Sequence, residues 1–210
     1  MSEYDVKVLC HDPYLFIIDD FLTDEECEFI KTVSKDGLHG AGVSFLDTEK
    51  DKYKKSNYKG RTNKSNWIKK EKYPEMLKIS QRIADLMNCD YRYFEDFQVI
   101  HYNVSEEYKY HYDAYNKKEK EKYKKFCSDR GNRIGTVLVY LNDVEEGGET
   151  GFDSIDKSKE PLLVEARKGR LVLFKNLNPD GSLNMKSRHA GLPVKKGEKW
   201  AFNLWLRERF

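Results

Sequence analysis

From residue 95 onward the hydrophobic period of this sequence changes, and that change limits the folds open to it. The segments "FQVIHYNV", "YKYHYDAY", "IGTVLVYLN", "LLVEA", "RLVLFKN" and "KWAFNLWLRERF" are short and rich in β-branched and aromatic residues. Gly, Asn, Asp and Pro signals separate them, so each reads as one strand rather than part of a helix. Two helical patterns precede this region. "FLTDEECEFIKTVSKDG" offers Thr23 as an N-cap, Glu26 three residues on to complete a capping box, and Gly37 as a stop. "YPEMLKISQRIADLMNC" tolerates Pro74 in its first turn and places Met76, Leu77, Ile83, Leu86 and Met87 on an apolar face. The order is helices first, then strands: an α+β, mainly β chain. An early strand is expected in "PYLFIIDDF", and a short one in "GAGVSFL".

With 210 residues and no composition break, one domain spanning 1–210 is the expectation, with 1–94 as supporting structure and 95–210 as the β core. Residues 47–66, "DTEKDKYKKSNYKGRTNKSN", are almost wholly polar and cannot bury themselves. They are read as an exposed loop and a candidate lid, although a solvated insertion has the same composition. "NKKEKEKYKKFCSDRGN" is read as another exposed loop, because glutamates interrupt its lysines and no aromatic platform accompanies them.

The formal charge of +2 gives no general attraction to nucleic acid or anionic membrane, so neither is expected as a partner. Cys10, Cys27, Cys89 and Cys127 show no C-x-x-C spacing and are expected to be free thiols. The apolar run "YLFII" is too short for a signal-peptide core or a membrane span, and a cytoplasmic setting is the expectation.

The chain has five histidines, and one stands two positions before a carboxylate in "YHYDAYNKK". On an extended strand, residues two apart project to one side, so His111 and Asp113 can share an ion. A distant histidine would complete a 2-His-1-carboxylate site of the kind that holds Fe(II) by one face, and His189 in "SRHAGLPVKKGEKW" is available. Taken alone, His-x-Asp also fits a surface pair. Ten residues after His189, past a turn at Gly197, Lys199 is expected on the next antiparallel strand beside it. A dicarboxylic co-substrate would supply an anion for that lysine if it is buried, whereas Lys195, Lys196 and Lys199 could all face solvent.

Taken in order, "DDFLTDEECEFI", "EDFQVIHYNVSEEYKYHYDAY", "NRIGTVLVYLNDVEEGGETGF", "GRLVLFKN" and "SRHAGLPVKKGEKWAFNLW" resemble the prolyl 4-hydroxylase family of Fe(II)- and 2-oxoglutarate-dependent dioxygenases, over most of the chain. The resemblance implies a double-stranded β-helix, or jelly roll, with supporting N-terminal helices. It implies iron ligands at His111, Asp113 and His189, and a 2-oxoglutarate site at Lys199, Tyr102 and Thr150 walled by Trp205. It also implies peptide contacts at Arg133 and Tyr108. The activity implied is hydroxylation of proline in a peptide or protein, coupled to decarboxylation of 2-oxoglutarate to succinate and CO2, with O2 consumed and ascorbate as the iron reductant. "GRTNKSNW" matches the family only loosely, which leaves the substrate open. Lysyl hydroxylases and nucleic-acid demethylases share the iron triad, and Arg207 and Arg209 follow His189 at about the distance where the latter carry arginines. A non-catalytic peptide-binding jelly roll is the remaining alternative. Oligomeric state is not legible.

Overall fold

A computed structural model describes residues 4–44, 60–156 and 160–209. Among these residues fourteen strands run in chain order: β1 Val6–His11, β2 Tyr14–Ile18, β3 His39–Gly40, β4 Lys64–Ile68, β5 Phe97–Tyr102, β6 Tyr108–His111, β7 Arg133–Tyr140, β8 Glu146–Gly147, β9 Thr150–Phe152, β10 Leu162–Val164, β11 Leu171–Lys175, β12 His189–Gly191, β13 Val194–Lys196 and β14 Lys199–Arg207. Among the described residues the α-helices are α1 Asp24–Ser34, α2 Pro74–Leu86 and α3 Lys120–Cys127. Eight strands form one antiparallel sheet in the order β1-β2-β11-β7-β14-β5-β4-β3, and four form a second in the order β10-β9-β12-β6. The architecture is a double-stranded β-helix with helices on the outer face of its larger sheet.

Side-chain alternation explains how one sheet serves two purposes. On β5, Phe97 and Val99 face the helices, whereas Ile100 and Tyr102 face the second sheet; β7 and β14 divide the same way. The helix-side core takes Cys27 and Ile30 from α1 and Met76, Ile79, Ile83 and Ala84 from α2, packed on Val137, Val139, Phe202 and Leu204. Truncating one of these, such as Ile30 to Ala, costs about 2–5 kcal/mol. The predicted capping box is present, with the Glu26 amide donating to Thr23 Oγ1 at 3.3 Å and the Thr23 amide to Glu26 Oε2 at 3.0 Å. Pro74 opens α2.

Three expectations need revision, and one strand was not anticipated. Residues 6–11, for which no strand was expected, pair with β2 as the sheet edge. "GAGVSFL" supplies only Gly40 to a two-residue strand, and residues 41–44 are not strand. Most of the candidate lid lies outside the described residues, but its end, residues 64–66, opens β4 and pairs with β5, so a polar sequence is drawn into the sheet by backbone hydrogen bonding. The lysine-rich segment after Asp113 is not all loop, since α3 forms there. Phe126 stacks on Tyr115 at 5.0 Å and Cys127 is buried, which anchors one side of an otherwise solvated helix. No helix among the described residues is long and apolar enough to cross a membrane, and all four cysteines are free.

Candidate metal centre and its cavity

The second sheet brings the two histidines together. His189 on β12 pairs directly with His111 on β6, and their ring centroids are 4.3 Å apart. Asp113 lies just past the end of β6, in a bend, yet its carboxylate turns to the same side, with Oδ1 3.6 Å from His111 Nε2 and Oδ2 3.5 Å from His189 Nε2. One donor atom from each residue falls within 4.8 Å of the others. Each imidazole makes its Nδ1 hydrogen bond to a carbonyl two residues earlier, His111 to Lys109 O at 2.8 Å and His189 to Ser187 O at 2.9 Å. Nδ1 therefore carries the proton, and Nε2 presents a lone pair to the centre.

The carboxylate is held by a buried relay. Asn176 Nδ2 donates to Thr136 Oγ1 at 2.9 Å, and because that lone pair is taken, the single hydroxyl hydrogen goes to Asp113 Oδ2 at 2.7 Å. Burial alone would raise the Asp113 pKa, but His189, His111 and Arg133 outweigh it and hold the carboxyl well below the usual range. Burial pushes the His189 imidazole down to about 4 against the pull of Asp113, so it stays neutral. Two imidazoles that each turn Nε2 inward and one ionised carboxylate are the donor set that suits Fe(II).

A cavity of about 550 Å³ opens from this centre. At one end Lys199, 2% exposed, lies with its ammonium 5.2 Å from the Tyr102 ring and 5.3 Å from that of Tyr140. No carboxylate among the described residues is in ion-pair range of it, and burial lowers its pKa to about 7 although Glu149 pulls the other way. The Tyr102 hydroxyl, pushed up to about 12 by burial, and the Thr150 hydroxyl, bonded to Tyr140 OH at 2.6 Å, line the same region. A buried, unpaired cation beside neutral hydroxyl groups fits the far carboxylate of a dicarboxylic keto acid. The expected strand relation does not hold. β13 intervenes after β12, and β14 pairs with β5 and β7 in the larger sheet, so Lys199 faces the metal centre from the opposite wall, opposite Tyr102 in register.

At the other end stand Trp205, Arg133, Arg61, Gln98 and Asn203. Trp205 is 5.6 Å from Trp67 and lies beneath the Arg133 guanidinium at 3.6 Å. Arg133 is held bidentately by Glu95, at 2.6 and 2.8 Å, so its position in the wall is fixed from within. Tyr108 stacks on His111 at 3.6 Å and is capped by Arg61 at 4.4 Å. Arg207 also pairs with Glu95, and Arg207 and Arg209 bond carbonyls of residues 126–131; neither lines the cavity. Thr136, Asn176, Tyr140, Arg61, Gln98 and Asn203 were not singled out by sequence reasoning. The available signal for Thr136 was a lone polar residue on the inward face of an apolar strand.

A family model described as the 2OG-Fe(II) oxygenase superfamily matches residues 97–207. Over 190 residues the chain is 37% identical to prolyl 4-hydroxylase subunit alpha-1 of Gallus gallus, covering 90% of this chain and 35% of that protein. It is 32% identical to probable prolyl 4-hydroxylase 3 of Arabidopsis thaliana, covering 95% and 71%. The chain thus spans about a third of the animal relative's length and most of the plant one's. Among solved structures, the viral collagen prolyl hydroxylase of Paramecium Bursaria Chlorella virus-1 in its 2OG complex superposes with a TM-score of 0.69 at 28% identity, covering 95% of this chain and 98% of that one. A Pseudomonas putida prolyl-4-hydroxylase, at 18% identity, TM-score 0.62 and 93% coverage of each chain, shares the fold.

Proposed function

Since the chain belongs to the prolyl 4-hydroxylase family of 2OG-Fe(II) oxygenases, we propose that it hydroxylates proline in a peptide or protein, with His111, Asp113 and His189 as iron ligands and Lys199 as the 2-oxoglutarate anchor. The observation that carries the reading is the buried, unpaired Lys199 at one end of a cavity with the triad on its wall and a separate polar end left for substrate. Bound Fe(II) and 2-oxoglutarate supply an O2-dependent oxidation that yields succinate and CO2 and leaves a hydroxyl on the substrate carbon, with ascorbate keeping the iron reduced.

The chain's own part is positional. Lys199 neutralises one carboxylate of the keto acid, while Tyr102 and Thr150 offer it hydroxyl groups. Thr136 and Asn176 fix the rotation of the Asp113 carboxylate, and the Lys109 and Ser187 carbonyls fix both imidazoles. Trp205 and the Tyr108–His111 stack exclude water from the centre, which keeps the oxidation directed at bound substrate. Arg133 and Tyr108 are assigned to border the peptide. These roles are assigned to a single catalytic domain spanning 1–210.

The test is succinate formation by anaerobically purified protein given Fe(II), 2-oxoglutarate, ascorbate and air, with proline-containing peptides analysed for a one-oxygen mass gain. Peptide-stimulated turnover that disappears in His111→Ala supports the proposal. Succinate without peptide oxidation would place another substrate at the site, and no succinate would favour a peptide-binding module.

A further inference from the structure

The polar end of the cavity contains one neutral group whose orientation is dictated by its neighbours. Gln98 on β5 and Asn203 on β14 are register partners and point the same way. Gln98 Oε1 accepts from Arg61 Nη2 at 3.2 Å and from Asn203 Nδ2 at 3.3 Å. A guanidinium can only donate, so the oxygen of the carboxamide must face Arg61, and its NH2 is turned the other way. Gln98 is 4% exposed and lines the cavity, and its Nε2 has no partner among the described residues. The two amide hydrogens open onto the cavity and are available to an acceptor bound there.

The two arginines at this end are already engaged, whereas the indole N–H of Trp205 has no partner among the described residues. Arg61 also donates to Asn63 Oδ1 and Gly42 O, and Arg133 is paired with Glu95. The co-substrate cannot be the acceptor. Gln98 is four residues along β5 from Tyr102, about 13 Å of extended strand, and the keto acid is anchored at the Tyr102–Lys199 end. A neutral amide is matched to a neutral carbonyl. Proline lacks an N–H, so the peptide unit preceding it offers only its carbonyl oxygen.

We propose that Gln98 reads the main chain of the peptide substrate, its Nε2 donating to a substrate carbonyl at the outer end of the cavity. This rests on the peptide-hydroxylating function proposed above. It makes Gln98 a determinant of peptide affinity that is indifferent to neighbouring side chains.

Gln98→Glu is the informative substitution, because it is isosteric and still accepts from Arg61 and Asn203 while its second oxygen repels a carbonyl. The peptide KM should rise about ten- to a hundredfold, with 2-oxoglutarate affinity and melting temperature held. If Gln98 only braces Arg61 and Asn203, the variant keeps its peptide KM, and that result overturns the assignment. A second measurement uses the unsubstituted protein and peptides whose carbonyls are replaced one at a time by thioamides. One position near the proline should lose binding severalfold, and a flat scan overturns the proposal even if the variant fails to fold. Failure of the unsubstituted protein to bind or oxidise any peptide would instead overturn the functional reading on which the assignment rests.

Discussion

Replacing Lys199 with methionine should make the ligand-free protein more stable while abolishing its response to 2-oxoglutarate. The side chain is 2% exposed, and burial brings its pKa from 10.5 to about 7. Between those values the unfolded chain holds a proton that the folded chain lacks, so stability rises with pH across that window, at about 1.4 kcal/mol per unit where the difference is one full proton. The folded state is therefore disfavoured, relative to its condition above the ordinary lysine pKa, by about 4 kcal/mol at pH 7 and about 2 kcal/mol at pH 9. Methionine is unbranched and apolar, fills a similar volume and carries no charge to desolvate. Urea unfolding of the metal-free proteins should show the variant more stable at pH 7, with the gap narrowing by about half at pH 9. Saturating 2-oxoglutarate should stabilise only the unsubstituted protein, since it supplies the missing carboxylate. A variant no more stable than its parent, a gap independent of pH, or an equal response to 2-oxoglutarate in both would refute the reasoning.

The same lysine predicts that binding 2-oxoglutarate at pH 8 takes up about 0.9 proton per ligand, because about nine-tenths of a group with pKa 7 is then neutral. Calorimetry in two buffers of different ionisation enthalpy measures this, and affinity should fall as pH rises above 7. Thr136→Val should weaken Mn(II) or Co(II) binding about ten- to a hundredfold, while Thr136→Ser, which keeps the hydroxyl, should largely restore it in a metal titration. At the periphery, Thr23→Ala should cost about 1 kcal/mol in denaturant unfolding through loss of the α1 cap, with no change in 2-oxoglutarate affinity.

Much of the centre could be read from the chain because its residues carry local signals. His111 and Asp113 are two apart, and Thr23 and Glu26 have the spacing of a capping box. What escaped depends on pairings between distant strands. Lys199 was expected beside His189, but the order β7-β14-β5 places it on the facing sheet, and no spacing of ten residues can distinguish those outcomes. Thr136 and Asn176 matter only because β7 and β11 are neighbours, as Gln98 and Asn203 do because β5 and β14 are. β4 and α3 were hidden for a different reason. Both open on polar residues, and they are stabilised by sheet hydrogen bonds in one case and by a few anchoring contacts in the other.

The division of ligands between the two sheets has a mechanical consequence. The three candidate metal donors sit on or just beyond strands of the smaller sheet, whereas Lys199 and Tyr102 belong to the larger one. A keto acid held by both ends therefore acts as a strut across the sandwich, and the two walls lose freedom to breathe against each other only when it is in place. Amide hydrogen exchange should slow together at β6, β12, β5 and β14 on binding, with the succinate left after turnover, which has lost the keto group, bracing the walls less firmly and so easing its own departure.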